Sequence, residues 1–220
     1  MDNKIDDKMD DKIVDLSEQA EATKDAEAVR DSKVSSGADA IRDSKVSSGA
    51  EADRELSRSL GTLKARLESS EEFNIWKKDN PGFYLAHMFL MTGHEPQLGY
   101  YNKETDTVVT FDISERITVN PASEVFKESG IIEELSVDGV VLGTDAADTI
   151  ARDVMDREYP GQAIDKEIVI LQVLSGIAVY NITFITKSFC TINIRVNAKT
   201  KEVISHEKRS IMDLRKADAE

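Results

Sequence analysis

No aromatic residue occurs between Met1 and Glu72, whereas all seven Phe, all five Tyr and the single Trp lie from Phe73 onward. Large aromatic side chains dominate core burial. A folded core is therefore expected in the last two thirds of the chain. This asymmetry divides the sequence into a polar N-terminal arm, residues 1–70, and one α+β domain, residues 71–215, with 71–135 and 140–210 as candidate halves.

The arm carries an internal repeat. Residues 28–39 are followed at once by a near copy in 40–51, and a worn third copy begins at Ala52; Gly37, Gly49 and Gly61 keep the 12-residue period. An α-helix turns roughly 100° per residue, so 12 residues leave an offset of roughly 120°. Val34 and Val46 would face different directions, and the repeat cannot build a straight coiled-coil seam. Residues 28–50 read as a spacer, either frayed helix or disordered chain. The flanks differ: Ile5, Met9, Ile13, Leu16 and Ala20 fall at helical spacing, as do Leu56, Leu60, Leu63 and Leu67. The second set is a heptad fragment, open to two readings: an oligomerising or partner-docking arm, or a solvated tether.

Within the domain, Asn80-Pro81 has the form of a helix start. The run Phe83 to Met91 is apolar almost all round, which predicts a core helix ended by Thr92-Gly93. Leu98 to Tyr101 and Thr107 to Ile113 flank a polar turn and predict a β-hairpin. Ile117 to Val119 reads as a short strand and Ala122 to Lys127 as a short helix. A helix capped by Thr144 or Asp145 is expected over 146–158, stopped by Tyr159-Pro160-Gly161. Strands follow at 167–174, 177–186, 189–196 and 202–205. The whole predicts helices packed on an antiparallel sheet. Two turns echo each other, Asn102-x-x-Thr105-x-x-Val108 and Asn197-x-x-Thr200-x-x-Val203, which is compatible with duplication or with convergent turn chemistry.

Residues 145–207, one helix and a meander closing on Arg195 to Ile204, resemble a PepSY-type domain. Members have a cystatin-like fold and often end in an Asp-Ala-x-Thr-Gly-x-Val turn; here Asn197 stands for the Asp and Lys201 for the Gly. The resemblance implies a non-enzymatic module of the kind found in peptidase propeptides and proposed to regulate peptidases. Most relatives are extracytoplasmic.

Charge and composition exclude several functions. The net charge is −14, shared equally between residues 1–72 and the remainder, so neither part offers the basic face that nucleic acid requires or that an anionic membrane surface attracts. Cys190 is the only cysteine, so no internal disulfide forms. The charged start and the absence of a spanning apolar run lead us to expect a cytoplasmic protein.

Chemistry-bearing residues are sparse. His87 sits in the apolar run and reads as a hydrogen-bonded core histidine. His94-Glu95 lacks a third metal ligand, and His206-Glu207 reads as a solvated strand end. Cys190, in an alternating strand, reads as a small buried hydrophobe. Asp145 and Asp148 belong to a helix start, Asp153 and Asp156 to its polar face. No catalytic residue, metal ligand or cofactor is assigned. Trp76, Tyr84, Tyr100 and Tyr101 are the candidate binding residues, because aromatics with polar tips are enriched at interfaces; the competing reading is a core edge. The expectation is a non-enzymatic, intracellular protein-interaction module on a tether that can self-associate. Alternatives are a peptidase-inhibitor-like regulator and a small-ligand-binding or enzymatic cystatin-like domain.

Overall fold

The computed structural model describes residues 58–124 and 132–211. The first two copies of the repeat, the Ile5–Ala20 stripe, Leu56 and residues 125–127 of the 122–127 segment lie outside them. Helix α1 (Leu60–Glu68) starts at Ser59, whose hydroxyl accepts from the Thr62 amide at 3.3 Å. It buries Leu60, Leu63 and Leu67. These are three of the four heptad leucines, and they face the chain's own sheet in the main core. The packed unit therefore begins at least ten residues before the expected boundary at 71.

Helix α2 (Glu71–Asp79) is capped by Ser70, with Glu71 and Glu72 in its first turn and Lys77 and Lys78 in its last, the charge order that suits the helix dipole. Asn80 closes this helix instead of opening another: its side-chain amide donates to Trp76 O at 2.8 Å.

The run after Pro81 is strand β1 (Tyr84–Met91), not a helix. A continuous apolar run fits a strand buried on both faces as well as a buried helix, and periodicity alone cannot separate them. Tertiary position decides. β1 lies at the middle of the sheet, hydrogen-bonded to β2 (Gln97–Asn102) on one side and β6 (Ile164–Leu174) on the other, and its six central residues are all buried.

The expected hairpin joins β2 to β3 (Thr107–Ile113), and the short strand β4 (Ile117–Val119) follows. The two-residue β5 (Ser123–Glu124) also pairs with β3, where a helix start was expected. Helix α3 (Thr144–Glu158) precedes β6, and β7 (Ile177–Thr186), β8 (Cys190–Asn197) and β9 (Val203–Ser210) complete a meander. The strand order is β4-β3-β2-β1-β6-β7-β8-β9, antiparallel throughout. This is an α+β fold with three α-helices among the described residues. The N-cap of α3 is Gly143; Thr144 instead donates its hydroxyl to Arg58 O at 3.0 Å, and Asp145 forms an ion pair with Arg58 at 3.1 Å.

The two echoing turns have the same internal chemistry. Asn102 Oδ1 accepts from the Glu104 and Thr105 amides, and Asn197 Oδ1 from those of Lys199 and Thr200. Each turn ends in a left-handed residue, Asp106 at φ 54° and Lys201 at φ 69°. The first joins the second and third strands of its half, the second the third and fourth, so they occupy different places in the strand order.

Candidate functional site

A groove of about 640 Å³ runs between the helical pair and the segment 134–138, over the β1–β2 part of the sheet. Local sequence builds each wall. The α1–α2 junction is compact because Ser70 Oγ both caps α2 and donates to Leu67 O at 2.7 Å. It presents Glu68, Asn74 and Lys77 to the groove. The opposite wall is pinned to β1: the Leu135 amide donates to Leu85 O at 2.8 Å, and the Tyr84 hydroxyl to Ile132 O at 2.6 Å. Glu134 and Asp138 stand on this wall, both exposed.

The floor is aromatic. Phe73, Trp76, Tyr100 and Phe111 form a cluster with ring centroids 4.9–5.9 Å apart, and Phe83 joins it through Trp76 at 5.1 Å. Tyr100 is 3% exposed, lines the groove and has a hydroxyl without a hydrogen-bond partner. Burial, with a smaller contribution from the Glu68 carboxylate, pushes this phenol well above its ordinary range. It stays protonated and is an available donor at neutral pH.

Lys77 bridges floor and rim. Its ammonium donates to Phe83 O and, at 3.4 Å, to Pro81 O. Burial lowers its pKa, opposed by Glu68 and Glu134. Lys64 is held by Glu68 at 2.7 Å. Both lysines of the groove are thus engaged, whereas Glu134 and Asp138 form no ion pair among the described residues.

The four aromatic candidates do not form one surface. Tyr100 and Tyr101 are neighbours on β2, so they point to opposite faces. Tyr100 and Trp76 belong to the helix-covered face, with Trp76 only half-buried. Tyr101 packs against Tyr84, its cross-strand partner, on the other face. Both hydroxyls there are satisfied, that of Tyr101 by Asp106 Oδ1 at 2.6 Å. Tyr84 and Tyr101 fit the core-edge reading; Tyr100 and Trp76 adjoin the groove.

The remaining polar candidates are dispersed. His87 is buried on β1 with Nε2 unpartnered, so the expected core histidine lacks the expected hydrogen bond there, and burial lowers its pKa to about 4. His94 borders a smaller hollow of about 280 Å³ with Arg58 and Glu167. His206 Nδ1 lies 2.9 Å from the Tyr159 hydroxyl. Cys190 is half-exposed, its thiol 3.7 Å from Ser188 O. Asp145 and Asp148 are in ion pairs with Arg58 and Arg152, and Glu167 links the two arginines. No group of three His, Cys, Asp or Glu side chains suited to a metal ion occurs among the described residues. No helix among them is long and apolar enough to cross a membrane.

Sequence reasoning did not single out Lys77, Glu134 or Asp138. Glu134 and Asp138 lie 57 and 61 residues beyond Lys77 in the chain, carry no motif, and come near it only across the groove.

No family model matches the chain, and no curated protein matches it. One solved structure is similar, a Clostridium difficile 630 protein described as a "putative lipoprotein": the likeness covers 63% of this chain and 91% of that one, at 15% identity and a TM-score of 0.42. A likeness at that level carries neither fold nor function across.

Proposed function

We propose that the chain is a non-enzymatic protein-interaction module that takes a peptide segment of its partner into the groove between α1–α2 and residues 134–138. The observation that supports this most is the Tyr100 hydroxyl. A buried polar group without a partner costs about 1–3 kcal/mol, and such a group at the floor of an accessible groove is satisfied when a bound backbone carbonyl arrives. The surrounding Phe73, Phe83 and Leu85 offer apolar contact on either side, the mixture of apolar area and a few placed polar groups that binding sites use.

A second reading has its own support. Lys201 adopts φ 69° at the position where the PepSY-type motif carries Gly, so the turn geometry fits that motif although the residue does not. On this reading the module regulates a peptidase. The lone Cys190 fits a reducing, intracellular compartment.

The test uses the only tryptophan as reporter. Trp76 touches Phe73, Phe83 and Tyr100, so occupation of the groove alters its emission. Degenerate, end-capped hexapeptide pools titrated into the full chain should give a saturable change. Tyr100→Phe, which removes the orphan hydroxyl and keeps the ring, should weaken it about tenfold, the equivalent of about 1.4 kcal/mol. No saturable change with any pool, or equal binding by the Phe variant, refutes the reading.

A further inference from the structure

The groove is built with an unbalanced set of charges. Its lining includes Lys64, Lys77, Glu68, Glu134 and Asp138. Lys64 and Glu68 neutralise each other at 2.7 Å. The Lys77 ammonium is committed to two backbone carbonyls, Phe83 O and Pro81 O. What the 134–138 wall itself presents to an incoming ligand is carboxylate: Glu134 and Asp138 are exposed and form no ion pair among the described residues, Lys77 acting on Glu134 only as a charge at longer range. Ser136, whose hydroxyl accepts from the Asp138 amide at 3.3 Å, adds no charge to this wall.

Acidic side chains alone do not make a site. Here they stand over a second, independent feature, the unpartnered Tyr100 hydroxyl, which is nine-tenths buried or more at the floor of the same groove. Phenol below and carboxylates above specify different parts of one ligand. The donor below asks for a carbonyl oxygen, and the carboxylates ask for a cation.

From this arrangement we infer that the segment bound in the groove is a basic peptide: a main-chain carbonyl accepts from Tyr100, and a Lys or Arg side chain lies along the 134–138 wall between Glu134 and Asp138. The inference rests on the proposed peptide-binding role and adds its chemical class. The apolar stem of Lys or Arg suits the exposed Val137 on that wall, since such stems pack on apolar surface while their heads stay in water. The net charge of −14 steers a basic partner toward the chain and repels an acidic one.

The experiment titrates full-length protein, followed by Trp76 emission, with three end-capped hexapeptide pools identical except for one central position fixed as Lys, Gln or Glu. Spermine is a fourth titrant. The Lys pool is expected to bind about tenfold more tightly than the Glu pool, with the Gln pool between them. In the Glu134→Gln, Asp138→Asn double variant, whose changes are exposed and leave the core intact, that preference should shrink to about twofold. Raising salt should weaken the Lys pool most. Equal binding of the three pools overturns the basic-peptide inference while leaving peptide binding itself intact. An unchanged preference in the double variant overturns the assignment to this wall. A spermine response matching that of the Lys pool shows that a free polycation suffices and overturns the peptide as ligand. Absence of binding by every titrant overturns both readings.

Discussion

The imidazole of His87 occupies the space that a side chain at position 99 would need: a Cβ on Gly99 would lie 2.1 Å from Cε1 and 2.4 Å from Nε2. The two residues are direct partners across the β1–β2 ladder, next to the register shift between Leu85 and His87. Glycine inside a strand weakens it unless another group approaches closely, and here the histidine ring is that group. Gly99→Ala should therefore destabilise the fold by about 1–3 kcal/mol, in the range of overpacked core sites. His87→Ala should recover part of that loss in the double variant. Urea unfolding of the four members of this cycle checks the coupling, and strict additivity would refute it.

The same histidine predicts a pH dependence. Its pKa is about 4 when folded and about 6.5 in an unfolded chain, so the unfolded state binds the proton first. Its contribution is fully present above pH 6.5 and is lost as pH falls toward 4, by about 3 kcal/mol in total. Below pH 4 both states are protonated and the loss levels off. His87→Gln should flatten this part of the stability profile relative to the parent. Parallel profiles between pH 7 and 4, from urea midpoints, would refute the assignment.

Leu67 is fully buried at the α1–sheet contact. Leu67→Ala is expected to cost about 2–5 kcal/mol, as buried leucines do. A fragment beginning at residue 71 should lose cooperative unfolding, because it also discards Leu60 and Leu63 from the core. Calorimetry of the fragment against the full chain decides this. A sharp transition of undiminished midpoint would show that the helix is dispensable.

Lys201 and Phe189 hold left-handed backbone at φ 69° and 57°, a conformation that costs a residue with a Cβ roughly 1 kcal/mol. Lys201→Gly and Phe189→Gly should each raise stability by about 0.5–1 kcal/mol, visible as a higher urea midpoint at constant slope. Phe189 is 66% exposed, so the ring contributes little packing to offset the gain. Destabilisation by either change would show that the side chain holds the turn.

The sequence by itself determined the α+β class, the hairpin at 102–107, helix α3 and the β6–β9 meander, because each rests on local signals: turn residues, the Tyr159-Pro160-Gly161 helix stop and alternating polarity. Even the Asn102 and Asn197 turns were legible, since an Asx turn is closed by its own side chain. What only the tertiary structure decided is where each element lies. Phe83 to Met91 became a strand because β2 and β6 flank it and bury both faces, a fact that no apolar run reveals. The leucines of α1 face a sheet rather than a partner helix, and Asn80 ends a helix rather than starting one. Tyr100 and Tyr101, equivalent in sequence, were separated by the pleat into a groove floor and a satisfied core edge. Lys77 and Glu134 face each other only because Leu135 is tied to Leu85, and contacts between residues so far apart in the chain leave no periodicity to read.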